Sequence, residues 1–333
     1  MERIIAIVVS HNRHALLVKA IEAIRNQTLQ PHDILVVNNG SSDYTSVWLD
    51  KQKDIIQIYQ DNKGSAGGYF AGISWAHRKN YSWIWCMDDD SYPDHDALEQ
   101  LIQFSQNNPH PPLLNSAVIN KDDYSKFVWE TAGKTNVDDV NELYIEGEAF
   151  PFNGTLIHCS IIDKAGLPLS QLFYWGEERE YLNRIMYKFK IPAVTVMNSR
   201  HYHPPASYTH RNEWNYQTSW KMYFYVRNRY KVLYAKYNNR SVAFIKYLYY
   251  IGAFCWSIMI FQKEHKLRKM MFAAWPLMDV MTRNYTATPD SIMQSLKEKH
   301  DMKFASLLFL PIKKWILRLF LPVAIRKAEP AAY

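Results

Sequence analysis

Three consecutive carboxylates, Asp88, Asp89 and Asp90, close the apolar run WIWCM and are followed at once by Ser91, Tyr92 and Pro93. This reads as a buried strand with acids at its tip. Adjacent carboxylates repel one another and cost stability unless a cation lies between them, and oxygen ligands of this kind suit Mg²⁺ or Mn²⁺. A solvated acidic turn is the ordinary alternative, but the apolar strand directly before the acids favours a site. A second acid group, Glu177, Glu178 and Glu180, follows the aromatic stretch LFYW. Leu182, Ile185 and Met186 continue at helical spacing, so these acids belong to a first helical turn. The helix dipole alone favours acids there; the functional reading is a general base. Third, His201 and His203 stand two apart in NSRHYHPP, and in extended backbone they share a face. Either could complete a metal site.

The elements that must hold these groups alternate. Residues 4 to 9 are a nearly continuous apolar run, and residues 15 to 25 have helical spacing through Leu16, Leu17, Ala20, Ile21 and Ile24. After Pro31 comes a second strand, DILVV, ending in the turn-rich NNGSSD. Two strands joined by a helix imply a parallel pair with a right-handed crossover, whose ligands bind at the carboxyl ends. A third strand, IIQIYQDN, leads into Asn62, Gly64, Ser65, Ala66, Gly67, Gly68 and Gly72. The dinucleotide spacing G-x-G-x-x-G is absent, so a nicotinamide enzyme loses its main support. Small residues at a helix start still permit close backbone approach to a ligand or phosphate, and tight helix packing explains them equally well. The fourth strand is the acid-tipped one, with a helix expected from about Asp94 to Gln106. Residues 107 to 148 read as a loop-rich insertion with a hairpin, contributing Trp129 to an acceptor pocket. A strand with a turn at Gly154, the Glu177 helix and the strand IPAVTVM complete the pattern.

With 333 residues and 48% hydrophobic content the chain can bury a large core, and it is expected to form two domains, 1–216 and 217–333. Cys86, Cys159 and Cys255 lie far apart without metal-ligand spacing, which indicates a reducing compartment and no disulfide framework. The N-terminal IIAIVV is too short for a secretory segment. The net charge of +7 is uneven: residues 1 to 217 carry −7 and residues 218 to 333 carry +14. A basic, aromatic-rich second half points to an anionic membrane surface rather than nucleic acid. Its longest uncharged run, residues 247 to 261, is fifteen residues, short of the roughly twenty that span a bilayer. It reads as a buried or partly inserted helix. Residues 304 to 325 read as an interfacial helix, or as one packed on the catalytic domain or on a second subunit.

In order, VVSHNR, NNGSSD, NKGSAGG, the DDD strand end, FNGTLI, WGEE with Arg184, HYHPP and YVRNRY resemble the motifs of bacterial family 2 inverting glycosyltransferases with the GT-A fold. The likeness is greatest to the galactofuranosyltransferases and rhamnosyltransferases of cell-surface polysaccharide synthesis. It covers roughly residues 3 to 232. The resemblance implies a Rossmann-like, mostly parallel mixed sheet between helices, with a C-terminal helical region. It implies that Ser10, Asn12, Asn39 and Asp43 contact the nucleotide, with Asn62, Gly64 and Gly67 beside the nucleotide-sugar and Asp89 on the donor sugar or ribose. Asp88 and Asp90 would hold Mn²⁺ or Mg²⁺ with His203, His201 being the alternative. Glu178 stands where the family's base is more often aspartate, and Glu177 stays open as the alternative base.

These parts suit inverting transfer. One carboxylate deprotonates the acceptor hydroxyl, and a metal offsets charge on the leaving diphosphate. The expected donor is UDP-galactofuranose, with dTDP-rhamnose as alternative. The expected acceptor is a lipid-linked or growing glycan, at the cytoplasmic face of the inner membrane, with a homo-oligomer as a further partner state. Two rivals share a nucleotide-binding sheet. A sugar-phosphate nucleotidyltransferase would carry a basic glycine-rich loop after its first strand, which SHNRHA lacks, and a non-catalytic nucleotide-sugar sensor would not need both acid clusters.

Overall fold

The computed structural model describes residues 2–107, 112–205, 212–216 and 218–298. Among the described residues, eleven strands form in chain order: β1 (Ile4–Ser10), β2 (Asp33–Asn39), β3 (Ile55–Gln60), β4 (Trp83–Asp88), β5 (Tyr92–Pro93), β6 (Leu113–Asn120), β7 (Lys126–Thr131), β8 (Lys134–Asn136), β9 (Tyr144–Glu146), β10 (Thr155–His158) and β11 (Ala193–His203). The sheet order is β3-β2-β1-β4-β10-β6-β11-β5. β3, β2, β1 and β4 are parallel, β10 runs antiparallel between β4 and β6, and β6 and β11 are parallel again. The carboxyl ends of β1, β2, β3, β4 and β11 therefore share one edge of the sheet, where ligands of such sheets bind.

Strand burial on both faces explains the near-continuous apolar runs. Ile5, Ile7, Val9, Leu35 and Val37 face helix α3 (Gly64–Arg78) through Tyr69 and Ile73. Ile4, Ala6, Val8, Ile34 and Val36 face the other layer, where α1 (His14–Arg25) brings Leu17, Ile21 and Ile24. The short α2 (Thr45–Leu49) follows β2, and α4 (Ala97–Gln106) adds Leu98 and Leu101 to the α1 layer. The α3 glycines are packing residues here, since a Cβ on Gly68 would stand 2.3 Å from Val9 Cγ1.

Two expectations are corrected. The helix after the acids begins at Ala97 rather than Asp94, because Tyr92 and Pro93 pair with Tyr202 and His201 as a short strand. Within residues 107 to 148 the hairpin forms as β7 and β8, but Leu113–Asn120 is a buried strand between β10 and β11 rather than loop. Its apolar residues alternate with Asn115 and Ser116, whose side chains find buried partners in Thr155, Asn153 and Ser199. That satisfaction is invisible in local composition.

The remaining α-helices among the described residues are α5 (Cys159–Ala165), α6 (Glu177–Asn183), α7 (Trp220–Tyr237), α8 (Arg240–Phe261), α9 (Lys266–Lys269), α10 (Met271–Thr282) and α11 (Pro289–Glu298). The chain divides into two compact units, Met1–Tyr208 with Lys231–Phe244, and Thr209–Tyr230 with Ile245–Tyr333. In the second unit Tyr223 donates a hydrogen bond to Asp279, and the Arg227 guanidinium lies over the rings of Phe224 and Tyr285. The uncharged run of residues 247 to 261 is part of a longer helix of 22 residues, because Lys246 and Arg240 continue it toward the N-terminus. By length and composition alone that helix could cross a membrane. The interfacial helix expected at residues 304 to 325 lies outside the described residues.

Candidate active site

β4 ends where its apolar residues do, so the three aspartates emerge at the carboxyl edge of the sheet. Asp88 accepts a hydrogen bond from the Tyr69 hydroxyl at 2.6 Å, and Asp89 is buried and accepts from the His11 backbone N–H. A cation does lie among them, and it belongs to the chain. Arg13 Nη1 is 3.1 Å from Asp89 Oδ1 and 2.5 Å from Asp90 Oδ2. Burial, followed by the Asp90 carboxylate, pushes Asp88 up to about 7. Burial likewise pushes Asp89 up to about 6, although Arg13 pulls against it. The Arg13 guanidinium, which burial alone would drive down, is held above its ordinary value by Asp90 and Asp89.

The other oxygen of Asp90, Oδ1, faces His203 Nε2 at 3.9 Å. Asp88, Asp90 and His203 each offer one ligand atom, and these atoms lie within 4.8 Å of one another. His201 does not join them. It is fully buried, its Nε2 lies 2.8 Å from Ser91 Oγ, and burial drives its pKa down to about 3. A bulge between Val196 and Arg200 sets the register of both histidines in β11. The His203 ring lies 5.2 Å from that of half-buried Trp129, which stacks on Phe150 at 5.3 Å, and the Arg179 guanidinium covers Phe150. A wall of aromatic and cationic groups thus runs from His203 to α6.

α6 is entered through a sharp turn in which Phe173, Trp175 and Gly176 all have positive φ. Helix α3 braces that turn. Ala66 N–H donates to the Phe173 carbonyl at 3.2 Å, and Ser65 donates its hydroxyl proton to Glu177 Oε1. The Gly64 position admits no side chain, since its φ is +70° and a Cβ would stand 1.9 Å from the Phe173 oxygen. The three glutamates of α6 have different environments. Glu177 is 3% exposed, its Oε2 is buried without a hydrogen-bond partner, and burial followed by the Glu178 carboxylate raises its pKa well above the usual range. Glu178 is half-buried and accepts from the Gly176 N–H at 3.0 Å. Glu180 forms a two-point ion pair with Arg184, which also donates to the Leu167 carbonyl, so it is spent on structure.

The two acid groups share a neighbourhood. The Tyr174 phenol is raised by burial first and then by Asp88, Glu177 and Glu178 together, while Arg13 lowers it. Tyr174 thus lies within electrostatic reach of both clusters.

The residues expected at the nucleotide gather at the same edge, in interlocked loops. Asn12 has φ +54° and its Oδ1 accepts from the Ser42 and Asp43 N–H groups, while Asp43 accepts from the His14 N–H that opens α1. Asn39 is buried, donates to Gly64 O and Asn62 Oδ1, and accepts from Gln60 and Lys63. Asn62 also lies 3.2 Å from His11 Nε2. Ser10 is buried at the end of β1. Asn39 thus has its side-chain donors and acceptor committed within the protein, and it fixes the loop that carries Asn62 and Gly64. Sequence reasoning missed Arg13, Tyr69 and Tyr174 as members of the site. The signals were present only as an arginine after SHN, a tyrosine after the α3 glycines and a tyrosine before WGEE.

Residues 5–149 match the family model described as Glycosyl transferase family 2. Galactofuranosyltransferase GlfT1 of Mycolicibacterium smegmatis is 28% identical over 218 residues, covering 61% of this chain and 71% of that enzyme. Poly-beta-1,6-N-acetyl-D-glucosamine synthase of Staphylococcus aureus is 33% identical over 92 residues, 26% of this chain and 21% of that enzyme. Among solved structures, S. aureus TarS overlaps 88% of this chain with a TM-score of 0.49 at 12% identity, and the chain spans about half of that protein (55%). The mixed, mostly parallel sheet between helices, with acids at its carboxyl edge, agrees with the architecture expected of a GT-A fold. The part of the chain that the family match covers, residues 5–149, is a glycosyltransferase family 2 domain.

Proposed function

We propose that this glycosyltransferase moves galactofuranose from UDP-galactofuranose, with inversion, onto a lipid-linked or growing cell-surface glycan, in a reaction that requires a divalent cation. The observation that carries the reading is the pairing of a carboxylate–imidazole trio with a separate carboxylate-bearing helix, both tied to α3 through Tyr69 and Ser65. Similarity to galactofuranosyltransferases over 61% of the chain supports the donor. Two carboxylates and an imidazole are a donor set that fits Mn²⁺ or Mg²⁺, and Asp88, Asp90 and His203 are the residues that would hold it. When bound, the cation would supply Lewis-acid charge to the leaving diphosphate.

The chain's own groups do the rest. Glu178 takes the acceptor proton, while Glu177, whose pKa burial raises, braces the turn through Ser65. Tyr69 and Arg13 orient the aspartates, and Asp89 holds the donor sugar or ribose. Ser10, Asn12, Asn39, Asp43, Asn62, Gly64 and Gly67 build the nucleotide recess, some by contact and Asn39 by fixing the loop. Trp129, backed by Phe150, offers an aromatic face to the acceptor sugar. The basic helical region, 217–333, docks the enzyme on the cytoplasmic face of the inner membrane, where a lipid-linked acceptor resides.

The test is turnover of a nucleotide-sugar panel with Mn²⁺, Mg²⁺ or EDTA. UDP-galactofuranose is expected to turn over fastest, and EDTA and Asp90→Ala each to abolish it. Preference for dTDP-rhamnose would replace the donor, and equal rates in EDTA would remove the metal.

A further inference from the structure

Helix α8 is apolar on the side that faces away from the protein. From Ile245 onward it lies within the second unit, where Tyr247, Phe254 and Ile258 are buried. The Tyr247 ring packs 5.9 Å from Tyr230 and Tyr250 packs 6.2 Å from Tyr225, so this face is committed to α7. Ile245, Tyr249, Trp256 and Ile260 are exposed by 65%, 79%, 69% and 55%. Their spacing of four, seven and four residues places them on one stripe. Leu248 and Met259, also exposed, widen it. At 1.5 Å per residue the stripe is roughly 22 Å long. Large side chains exposed in a continuous stripe mark a contact surface, unlike apolar residues scattered singly.

We propose that this face of α8 is a monotopic membrane anchor, seated in the headgroup and upper acyl layer of an anionic bilayer. Three observations select that occupant. Exposed Lys246 flanks the stripe, Lys263 and Lys266 follow its end, and no acidic residue occurs in Arg240–Phe261, so the charge suits anionic headgroups. Tyr249 and Trp256 are the residue types that settle at a membrane–water interface. A two-fold contact with a second copy would instead bring the same cations together, since such interfaces use one patch on both subunits. The helix is long enough to cross a bilayer, but Tyr247, Phe254 and Ile258 are covered by protein, which leaves one face for lipid and makes it lie flat. This deepens the membrane reading proposed above and rests on it.

The test uses the full chain and vesicles of phosphatidylcholine with about one third phosphatidylglycerol, a composition with the negative surface potential that attracts basic segments. Flotation and light scattering would compare wild type with Tyr249→Ser/Trp256→Ser/Ile260→Ser and with Trp256→Ser alone. Wild type is expected to bind, less tightly as salt rises; the single variant should bind several-fold more weakly and the triple variant at least tenfold. Circular dichroism, melting and donor turnover should be unchanged, because these side chains touch solvent. If wild type floats and the triple variant floats equally, the α8 assignment fails while the membrane reading survives, with the anchor elsewhere in the chain. If wild type does not float, both fail. If light scattering shows a wild-type dimer that the triple variant dissolves, the occupant is a second copy and the proposal is overturned.

Discussion

Replacing Glu178 and Glu177 by glutamine, one at a time, separates the base from its neighbour. Glutamine keeps size and hydrogen bonding but cannot accept a proton. If Glu178 is the base, Glu178→Gln lowers kcat by about 10²- to 10⁴-fold, roughly 2.7–5.4 kcal/mol of barrier, with donor affinity unchanged. Glu177 is buried beside Ser65 and Glu178, and burial, followed by the Glu178 carboxylate, raises its pKa well above the ordinary value, which disfavours its ionised form. Glu177→Gln imitates the form that burial favours, and kcat should stay within about threefold of wild type. Glu177→Ala is different. It strands the Ser65 hydroxyl that donates to Oε1, at a cost of about 1–3 kcal/mol of stability. Transfer kinetics alongside calorimetric nucleotide-sugar binding measures all three. Equal kcat losses in both glutamine variants, or a Glu178→Gln defect confined to donor affinity, would refute the assignment.

Gly64→Ala should destabilise the fold by more than about 2 kcal/mol, because Ala is strained at φ +70° and its Cβ meets the Phe173 carbonyl. Thermal melting checks this, and an unchanged midpoint would contradict the packing. Asp88 has a folded pKa of about 7 against an ordinary 3.8, so the metal-free fold binds the extra proton between those values and loses stability as pH rises through that window. Asp88→Asn should thus gain on wild type between pH 5 and pH 8, by about 1–2 kcal/mol once solvent screening of a half-buried group is allowed for. A constant difference across that range would contradict the shift. Arg13→Ala leaves buried Asp89 without its cation; the metal-free melting temperature should fall, and Mn²⁺ should raise it more than in wild type. Equal Mn²⁺ shifts would show that Arg13 does not compensate the aspartates.

Much of the molecule was legible in order along the chain. β1 to β4 are apolar runs that end in polar or glycine-rich turns, and their parallel order follows from the helices between them. That pattern fixed where the acids would emerge, and aromatic residues before helical spacing placed the glutamates on a first turn. β6 escaped notice because its apolar residues surround Asn115 and Ser116, which only the folded chain satisfies through residues about forty or eighty positions away.

What tertiary structure alone decided is how the side chains are shared out. Local sequence presents His201 and His203 as equivalents, yet one is buried on Ser91 and the other joins Asp88 and Asp90. It presents Glu177, Glu178 and Glu180 as one acidic turn, yet Ser65, the Gly176 N–H and Arg184 give them three environments. It presents three aspartates in need of a cation, and Arg13, 77 positions before Asp90, supplies one. Strand and helix follow from neighbours close in sequence, whereas pKa and ligand geometry follow from desolvation and from charges brought together across the whole chain.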